Sequence, residues 1–290
     1  MLRTRVIQDW WSAGERVPAE LGGATRKVFV RRMGDGPWMT MLHGFPSSSH
    51  DWAKIAPALA QRHSLLLPDF LGFGSSDKPH DHDYSLHEQA DLVEAVWERD
   101  GVSATAVVAH DYGVTVAQEL LARRAEGRLA VELDRVHLLN GGVYPDLHRP
   151  QPVQDALADP VQGPQLSANL NEEVLAAALK PTFADGFDAA ADSADIWRSL
   201  ERDDGHLNLH KLIGYMAERR EFEDRWVGAL EGTGVPLAFV WGMLDPISGA
   251  DIAERIGERL PDARLLALDD VSHWPQLEAP GRVAAALLGD

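Results

Sequence analysis

Residues 105–121 constrain the fold more than any other part of the chain. The first residues of this stretch are small or β-branched, which is typical of a strand buried on both faces of a sheet. The last residues have apolar side chains at helical spacing, such as Val116 and Leu120. Because no loop separates the two parts, the chain must turn sharply between Ala109 and Gly113, whose small size permits such a turn.

Asp111 occupies the apex of this turn. A strand that runs directly into a helix forms a nucleophile elbow, which lifts the apex side chain above the sheet. Serine usually occupies the apex, but a carboxylate with a reference pKa of about 3.9 is already ionised at neutral pH. Such a carboxylate attacks an sp³ carbon and forms an alkyl ester, whose hydrolysis needs a histidine and an orienting acid. The structural alternative is that Asp111 only caps the helix.

Composition and charge limit the classes of function. The 290 residues include 27 Lys and Arg against 45 Asp and Glu, for a formal net charge of −18. This balance argues against nucleic acids and anionic membranes as partners. The lack of cysteine excludes disulfides and thiolate metal sites. No apolar signal region begins the chain and no run reaches transmembrane length, so we expect a cytoplasmic protein.

Strands and helices alternate along most of the chain. This alternation predicts an α/β fold with a mainly parallel sheet and helices on both faces. Residues 27–31 and 38–42, on either side of a Gly-Asp-Gly-Pro turn, predict a hairpin. The other predicted strands are residues 64–68, 135–139, 236–241 and 264–268, and the other predicted core helices are residues 50–61, 86–98, 252–260 and 280–288.

One segment, residues 143–232, lacks strand patterns. It contains several prolines, and residues 171–179, 195–200, 207–219 and 222–230 have helical patterns. A segment of this length is too long for a loop. We therefore predict an all-helical cap inserted into a core formed by residues 1–142 and 233–290. Because the segment begins and ends near strand ends, the cap should cover the sheet edge at which Asp111 points.

Two further polar residues follow predicted strands at the same edge. Asp245 comes after residues 236–241, and His273 comes after the last strand. The order of nucleophile, acid and histidine is the one expected of a hydrolase with a nucleophile elbow. Asn140, at the end of the preceding strand, cannot serve as the acid, and Asp146 is a weaker substitute. We therefore predict that Asp111, Asp245 and His273 form a triad.

The loop after the strand of residues 38–42 has the sequence His43-Gly44-Phe45-Pro46. A glycine at this position allows the backbone to approach a ligand closely. The N–H groups of Phe45 and Tyr112 are then a candidate pair of donors for developing negative charge.

Two other motifs are not given a functional role. Gly72 and Gly74 do not complete a dinucleotide fingerprint, because Asp77 occupies the third glycine position. The sequence His80-Asp81-His82-Asp83 lies in a polar loop, and we interpret it as solvated rather than as a metal site. We expect neither a metal nor a cofactor.

These motifs resemble the α/β-hydrolase superfamily over essentially the whole chain, in the branch that contains epoxide hydrolases and haloalkane dehalogenases. Residues 140–145, 148–150 and 225–230 are also similar to mesoderm-specific transcript proteins. The resemblance implies that Asp111 is the nucleophile, His273 the water-activating base and Asp245 its orienting acid. The segments that carry it are His43-Gly44-Phe45-Pro46, His110-Asp111-Tyr112-Gly113, Gly242-Met243-Leu244-Asp245-Pro246 and Ser272-His273-Trp274-Pro275-Gln276-Leu277-Glu278.

The chain also departs from the resembled enzymes. Haloalkane dehalogenases usually have a halide-binding tryptophan directly after the nucleophile, fluoroacetate dehalogenases have an arginine there, and this chain has Tyr112. Epoxide opening needs a proton donor, normally supplied by two cap tyrosines. Tyr215 stands where one of these is expected, and Tyr144 is a second candidate. The resemblance therefore implies an epoxide hydrolase first and a haloalkane dehalogenase second.

The implied substrate is a small hydrophobic molecule. A protein that keeps the fold but only binds ligands is a third alternative, and the intact Asp111, Asp245 and His273 argue against it. The sequence leaves the oligomeric state open between a monomer and a homodimer.

Overall fold

The structure, a computed structural model, describes residues 4–289; the first three residues of the N-terminal stretch considered above lie outside this range. Its centre is one eight-stranded sheet. The strands are Glu15–Leu21 (β1), Ala24–Met33 (β2), Trp38–Leu42 (β3), Ser64–Pro68 (β4), Ala104–His110 (β5), Glu132–Leu139 (β6), Leu237–Gly242 (β7) and Arg264–Leu268 (β8).

Helices flank this sheet. None of those within residues 4–289 is long and apolar enough to cross a lipid bilayer. The α-helices are Thr4–Ser12 (α1), Ala56–Leu59 (α2), Leu86–Asp100 (α3), Tyr112–Ala125 (α4), Pro152–Ala158 (α5), Gln162–Asn169 (α6), Glu172–Leu179 (α7), Ala190–Glu201 (α8), Leu209–Leu212 (α9), Tyr215–Glu221 (α10), Glu223–Gly232 (α11), Ala250–Arg259 (α12), Pro275–Glu278 (α13) and Pro280–Gly289 (α14).

The strand order is β1-β2-β4-β3-β5-β6-β7-β8. β2 runs antiparallel to both β1 and β4, and every other neighbouring pair is parallel. The predicted mainly parallel sheet with flanking helices is confirmed.

The predicted hairpin between β2 and β3 is wrong. β2 instead forms a hairpin with β1 through Gly22 and Gly23, whose φ values are +57° and +77°. Two glycines with positive φ match the twist of paired strands, so this turn specifies the hairpin. β3 lies between β4 and β5 in parallel register.

Alternate side chains of the strands enter two separate cores. Leu65 and Leu67 of β4 pack on one face with Trp52 and with apolar residues of α14. Leu66, between them, packs on the other face with residues of α3 and α4. This alternation follows from the two-residue period of a strand, and it explains why the central strands are apolar throughout.

The chain between β6 and β7 contains helices α5 to α11 and, within the described residues, no strand. The predicted helix of residues 207–219 is interrupted: a 3₁₀ segment, Arg202–Asn208, leads into α9, and Gly214 separates α9 from α10. Asp203 and Asp204 in that segment have φ values of +52° and +55°.

α5 and α6 occupy the proline-rich part for which no element was predicted. Pro152 is tolerated at the first position of α5, where no helical N–H bond is needed.

Glu119 of α4 connects the helices between β6 and β7, called the insertion below, to the rest of the protein, called the core. Its buried carboxylate accepts hydrogen bonds from the Arg225 Nε (2.7 Å) and the Trp226 indole (2.9 Å), both on α11. It also accepts a bond from Arg123 Nε at 2.9 Å. Burial opposes ionisation of Glu119, but these donors together hold its pKa below the usual range. The motif of residues 225–230 thus contributes to the anchoring of α11.

Lys78 makes a second connection. Its buried Nζ donates to the core carbonyl of Gly74 and to two carbonyls of the insertion, Ser199 (3.1 Å) and Arg202 (2.9 Å). Since these acceptors are uncharged carbonyls, burial lowers the pKa of Lys78 to about 8.

The Glu119 contacts predict a stability difference. Glu119→Ala should lower the free energy of unfolding by about 3 kcal/mol, because it removes the charge-assisted hydrogen bonds from Arg123 and Arg225 and leaves the buried Trp226 indole N–H without its acceptor. Glu126→Ala is the matched control, since Glu126 also pairs with Arg225 but lies at the surface, and its effect should be much smaller. Urea unfolding of both variants measures the difference. Equal losses would contradict the anchoring role of Glu119.

Candidate active site

Asp111 is the one residue between β5 and α4. Its φ and ψ are 45° and −105°, which are unfavourable for a residue with a side chain. Backbone strain at this position is characteristic of a nucleophile elbow. The structure therefore contains the sharp strand-to-helix turn expected from the sequence, with Asp111 at its apex.

Two glycines make room for the elbow. A Cβ atom on Gly113 would lie 2.7 Å from the Leu42 carbonyl oxygen and 2.8 Å from that of His43. A Cβ atom on Gly44 would lie 2.7 Å from Nδ1 of His110 and 3.0 Å from the Cβ of Asp111. Because these neighbours are rigid, any larger residue would displace the loop or the elbow.

The Asp111 carboxylate is buried and surrounded by donors. Oδ2 accepts the backbone N–H of Phe45 at 2.9 Å. Tyr112 begins α4, so its N–H has no acceptor within the helix. Arg219 Nη2 donates to the Asp111 carbonyl oxygen at 3.0 Å and lies 3.7 Å from Oδ1. Burial opposes ionisation, but the positive charges of His273 and Arg219 lower the pKa of Asp111 below its usual value.

Asp245 and His273 form the expected pair. Nδ1 of His273 donates to Oδ2 of Asp245 at 2.9 Å. The same oxygen accepts a bond from Asn140 Nδ2 at 2.9 Å, and Oδ1 accepts the N–H of Ile247 at 2.8 Å. Burial opposes the imidazolium charge, but the carboxylates of Asp245 and Asp111 raise the pKa of His273 to about 9. The weaker candidate Asp146 instead pairs with Arg255 at 3.1 Å.

His110 connects the elbow to the histidine loop. Its Nε2 donates to the carbonyl oxygen of His273 at 2.8 Å, and its Nδ1 accepts from Gln276 at 3.1 Å. Burial lowers the pKa of His110 to about 4, so the ring is neutral at pH 7. His110, immediately before Asp111, thus positions the backbone of His273.

Asp111 and His273 lie on the wall of one cavity of about 120 Å³. Most of the remaining wall consists of apolar side chains from α5, α6 and α7 and from the loops after β3 and β8. Its other polar residues are neutral: Gln151, Gln154, Ser167 and Thr182.

A family model described as the alpha/beta hydrolase fold matches residues 37–280. This chain is an α/β-hydrolase. LipZ of Mycobacterium tuberculosis is 38% identical over 284 residues, which cover 97% of this chain and 96% of LipZ. The human mesoderm-specific transcript homolog protein is 40% identical over 262 residues, 87% of this chain and 77% of that protein.

The haloalkane dehalogenase DbeA from Bradyrhizobium elkani has a similar fold. Its crystal structure superimposes with a TM-score of 0.78 and 19% identity, over 95% of this chain and 97% of DbeA. At this identity the likeness concerns the fold alone.

The two candidate tyrosines of this α/β-hydrolase lie in different places. Tyr215 is buried; its ring packs 5.6 Å from that of Phe45, and its hydroxyl interacts with Gln154 of the cavity wall. Burial raises its pKa, so it is protonated at neutral pH. The Tyr144 hydroxyl donates to Glu231 at 3.2 Å, and Tyr144 does not line the cavity. Neither tyrosine lines the cavity, but the Tyr215 hydroxyl contacts a residue of its wall, whereas the Tyr144 hydroxyl is held by Glu231.

The side chains of His43 and Tyr112 contact residues that surround the site. His43 donates through Nδ1 to the Gly44 carbonyl at 2.9 Å and accepts the Phe70 N–H through Nε2 at 3.0 Å. The Tyr112 ring packs 5.4 Å from Phe70 and 5.1 Å from Tyr215. Neither side chain lines the cavity.

The described residues contain no group of three His, Asp or Glu side chains arranged to hold a metal ion. His80 donates to Asn208 at 2.9 Å and His82 to Glu88 at 2.6 Å. The polar loop is therefore held by specific hydrogen bonds, where the sequence suggested solvation.

Sequence reasoning missed Arg219 and His110 and noted Asn140 only as a residue that could not be the acid. Arg219 lies on α10, where it also donates through Nε to Thr115 at 2.7 Å. An arginine in the run Glu218-Arg219-Arg220 shows no sign in the sequence of being buried. The contact of Asn140 with Asp245 could have been predicted, because Asn140 follows a strand adjacent to the one that precedes Asp245.

The charges around His273 predict a measurable titration. The imidazole should titrate near pH 9 in the unmodified protein. Asp111→Asn should lower this pKa, because it removes a negative charge that stabilises the imidazolium. Histidine NMR measures the shift, with the resonance assigned by its loss in His273→Gln. Asp146→Asn is the control and should leave the pKa unchanged; an unchanged pKa in Asp111→Asn would show that the two groups are not coupled.

Proposed function

We propose that this α/β-hydrolase acts through an alkyl ester on Asp111, and that it hydrolyses epoxides to diols. The observation that carries the proposal is the position of an ionised carboxylate at the elbow, in one cavity with a histidine whose other nitrogen bonds to Asp245. We also propose that residues 143–232 are the cap, because α5, α6 and α7 contribute to the wall of that cavity.

In the first step, Oδ1 of Asp111 attacks a ring carbon. The carbon–carboxylate bond forms while the carbon–oxygen bond of the epoxide breaks, and the alkoxide takes a proton from a donor. The Phe45 N–H holds Oδ2, which becomes the carbonyl oxygen of the ester.

In the second step, neutral His273 takes a proton from water, and the resulting hydroxide attacks the ester carbonyl carbon. Negative charge develops on Oδ2, where the N–H groups of Phe45 and Tyr112 stabilise it. The ester bond to the alkyl oxygen then breaks, and that oxygen receives the proton from His273. The diol carries away one former Asp111 oxygen, and a water oxygen replaces it. The carboxylic acid left on Asp111 then releases its proton, which restores the donor used in the first step.

Haloalkane dehalogenation is the second candidate, because the sequence motifs of this chain also resemble those of haloalkane dehalogenases. A leaving halide needs hydrogen-bond donors, and the indole of Trp274 is the tryptophan on the cavity wall. Its N–H already donates to Thr182 at 2.9 Å, and the N–H of Trp226 donates to Glu119. This arrangement favours the epoxide as substrate.

The covalent step predicts a trapped ester. His273→Gln should permit alkylation but block hydrolysis, so the protein mass should rise by the mass of one epoxide on the peptide that contains Asp111. The control, Asp111→Asn combined with His273→Gln, should gain no mass. A single turnover of the unmodified protein in heavy-oxygen water should place unlabelled carboxylate oxygen in the diol. Labelled oxygen in the first-turnover diol would rule out the ester mechanism.

A role of Tyr215 as the proton donor predicts that one substitution affects epoxide opening but not haloalkane dehalogenation. If Tyr215 protonates the alkoxide, Tyr215→Phe should slow epoxide alkylation about 100-fold, the lower range of general-acid catalysis. Bromide release from a bromoalkane should change little, since a halide needs no proton. Tyr144→Phe is the matched control and should retain activity, because its hydroxyl is held by Glu231. Epoxide turnover within a few-fold of normal in Tyr215→Phe would remove Tyr215 as the acid, and bromide release with inert epoxides would favour the dehalogenase.

A further inference from the structure

Three exposed apolar side chains form the outer wall of the cavity. Val153 of α5 is 43% exposed, Leu166 of α6 is 40% exposed and Val174 of α7 is 49% exposed. Among the residues with described side chains, large apolar groups are exposed at only three other positions, and those lie outside this cavity: Val6, Val161 and Leu244. Exposed apolar groups gathered on one surface indicate a binding role.

The cavity limits the size and shape of its ligand. Its volume is about 120 Å³, whereas an apolar cavity of about 150 Å³ holds one benzene ring. The enclosed space therefore accommodates no more than about six carbons, with the reactive group included. A larger compact molecule does not fit, but an unbranched chain can leave the cavity across the three exposed side chains.

The charges near the cavity exclude an acidic chain end. The wall described above includes no lysine or arginine that could pair with a carboxylate. Glu172 and Glu173 precede Val174 in the first turn of α7, where Glu172 is paired with Arg198 at 3.4 Å, and the net charge of the chain is −18. An anionic chain end would be repelled at this opening.

We propose that the substrate is a neutral, unbranched alkyl compound longer than about six carbons. Its reactive carbon lies beside Asp111, and its far end lies across Val153, Leu166 and Val174. The identity of the reactive carbon rests on the proposed function, whereas the placement of the chain rests on the cavity wall.

Binding of unreactive 1-alkanols tests the placement of the chain without any chemistry. Calorimetry should show that Kd falls about twofold per added methylene from 1-hexanol to 1-decanol, as expected for groups that are about half buried. The combined variant Leu166→Gln and Val174→Thr should abolish this gain. Val161→Thr, at an exposed position outside the cavity, should retain it. Octanoate should bind at least tenfold more weakly than 1-octanol.

Three results would overturn the inference: equal affinity for hexanol and decanol, octanoate binding as tight as octanol binding, or the same loss in Val161→Thr as in the combined variant. A kinetic series of terminal epoxides from four to ten carbons separates this inference from the proposed function. Turnover without any dependence of kcat/KM on chain length would refute the inference alone. Length-dependent alkanol binding with inert epoxides and bromoalkanes would support the chain site and refute the proposed function.

Discussion

The balance of four buried charges determines what this site can do. Asp111 and Asp245 are negative, while Arg219 and the protonated His273 are positive. Isolated charges in a protein interior are very costly, so each of these groups depends on the others. Conversion of the Asp111 carboxylate to a neutral ester would leave an excess of positive charge. In the proposed mechanism, the first step thereby promotes loss of the proton that keeps His273 from acting as a base.

The elbow depends on contacts with both parts of the molecule. His110 joins the elbow to the carbonyl of His273, within the core. Arg219 reaches the Asp111 carbonyl from α10, within the insertion. Glu119 holds Arg225 and Trp226 of α11, the helix that follows α10. The position of the Arg219 guanidinium beside Asp111 therefore depends on how the insertion packs on α4.

Much of the arrangement of Asp111, Asp245 and His273 was predictable from the sequence, because parallel strands end at one edge of a sheet. Asp111, Asp245 and His273 each follow a strand that local patterns reveal, and that geometry brings them together over a long sequence distance. Arg219 was not predictable, since its burial depends on the packing of a helix with several charged residues. The direction of the Tyr144 side chain likewise depends on its contact with Glu231.

The predicted hairpin between β2 and β3 was wrong for a similar reason, since pairing depends on distant parts of the chain. The residues between β2 and β3 have the local composition of a hairpin turn, but β3 pairs with β4 and β5, as in the register of Thr40 with Leu66 and Val107. Which strands pair in parallel is determined by segments that are far apart in the sequence. At the edge of the sheet, by contrast, β1 has β2 as its one neighbouring strand, and the short Gly22–Gly23 turn joins the two.

The insertion leaves the core after β6 and returns at β7, and these two strands are hydrogen-bonded neighbours. The ends of the inserted chain are therefore held close together by the sheet itself. Its length and its early helices can change during evolution without any rearrangement of the strands that carry the triad. α5 and α6 supply wall side chains, whereas α10 and α11 supply the bonds to Asp111 and Glu119. Substrate range can thus diverge through the first half of the insertion while the second half preserves the reactive centre.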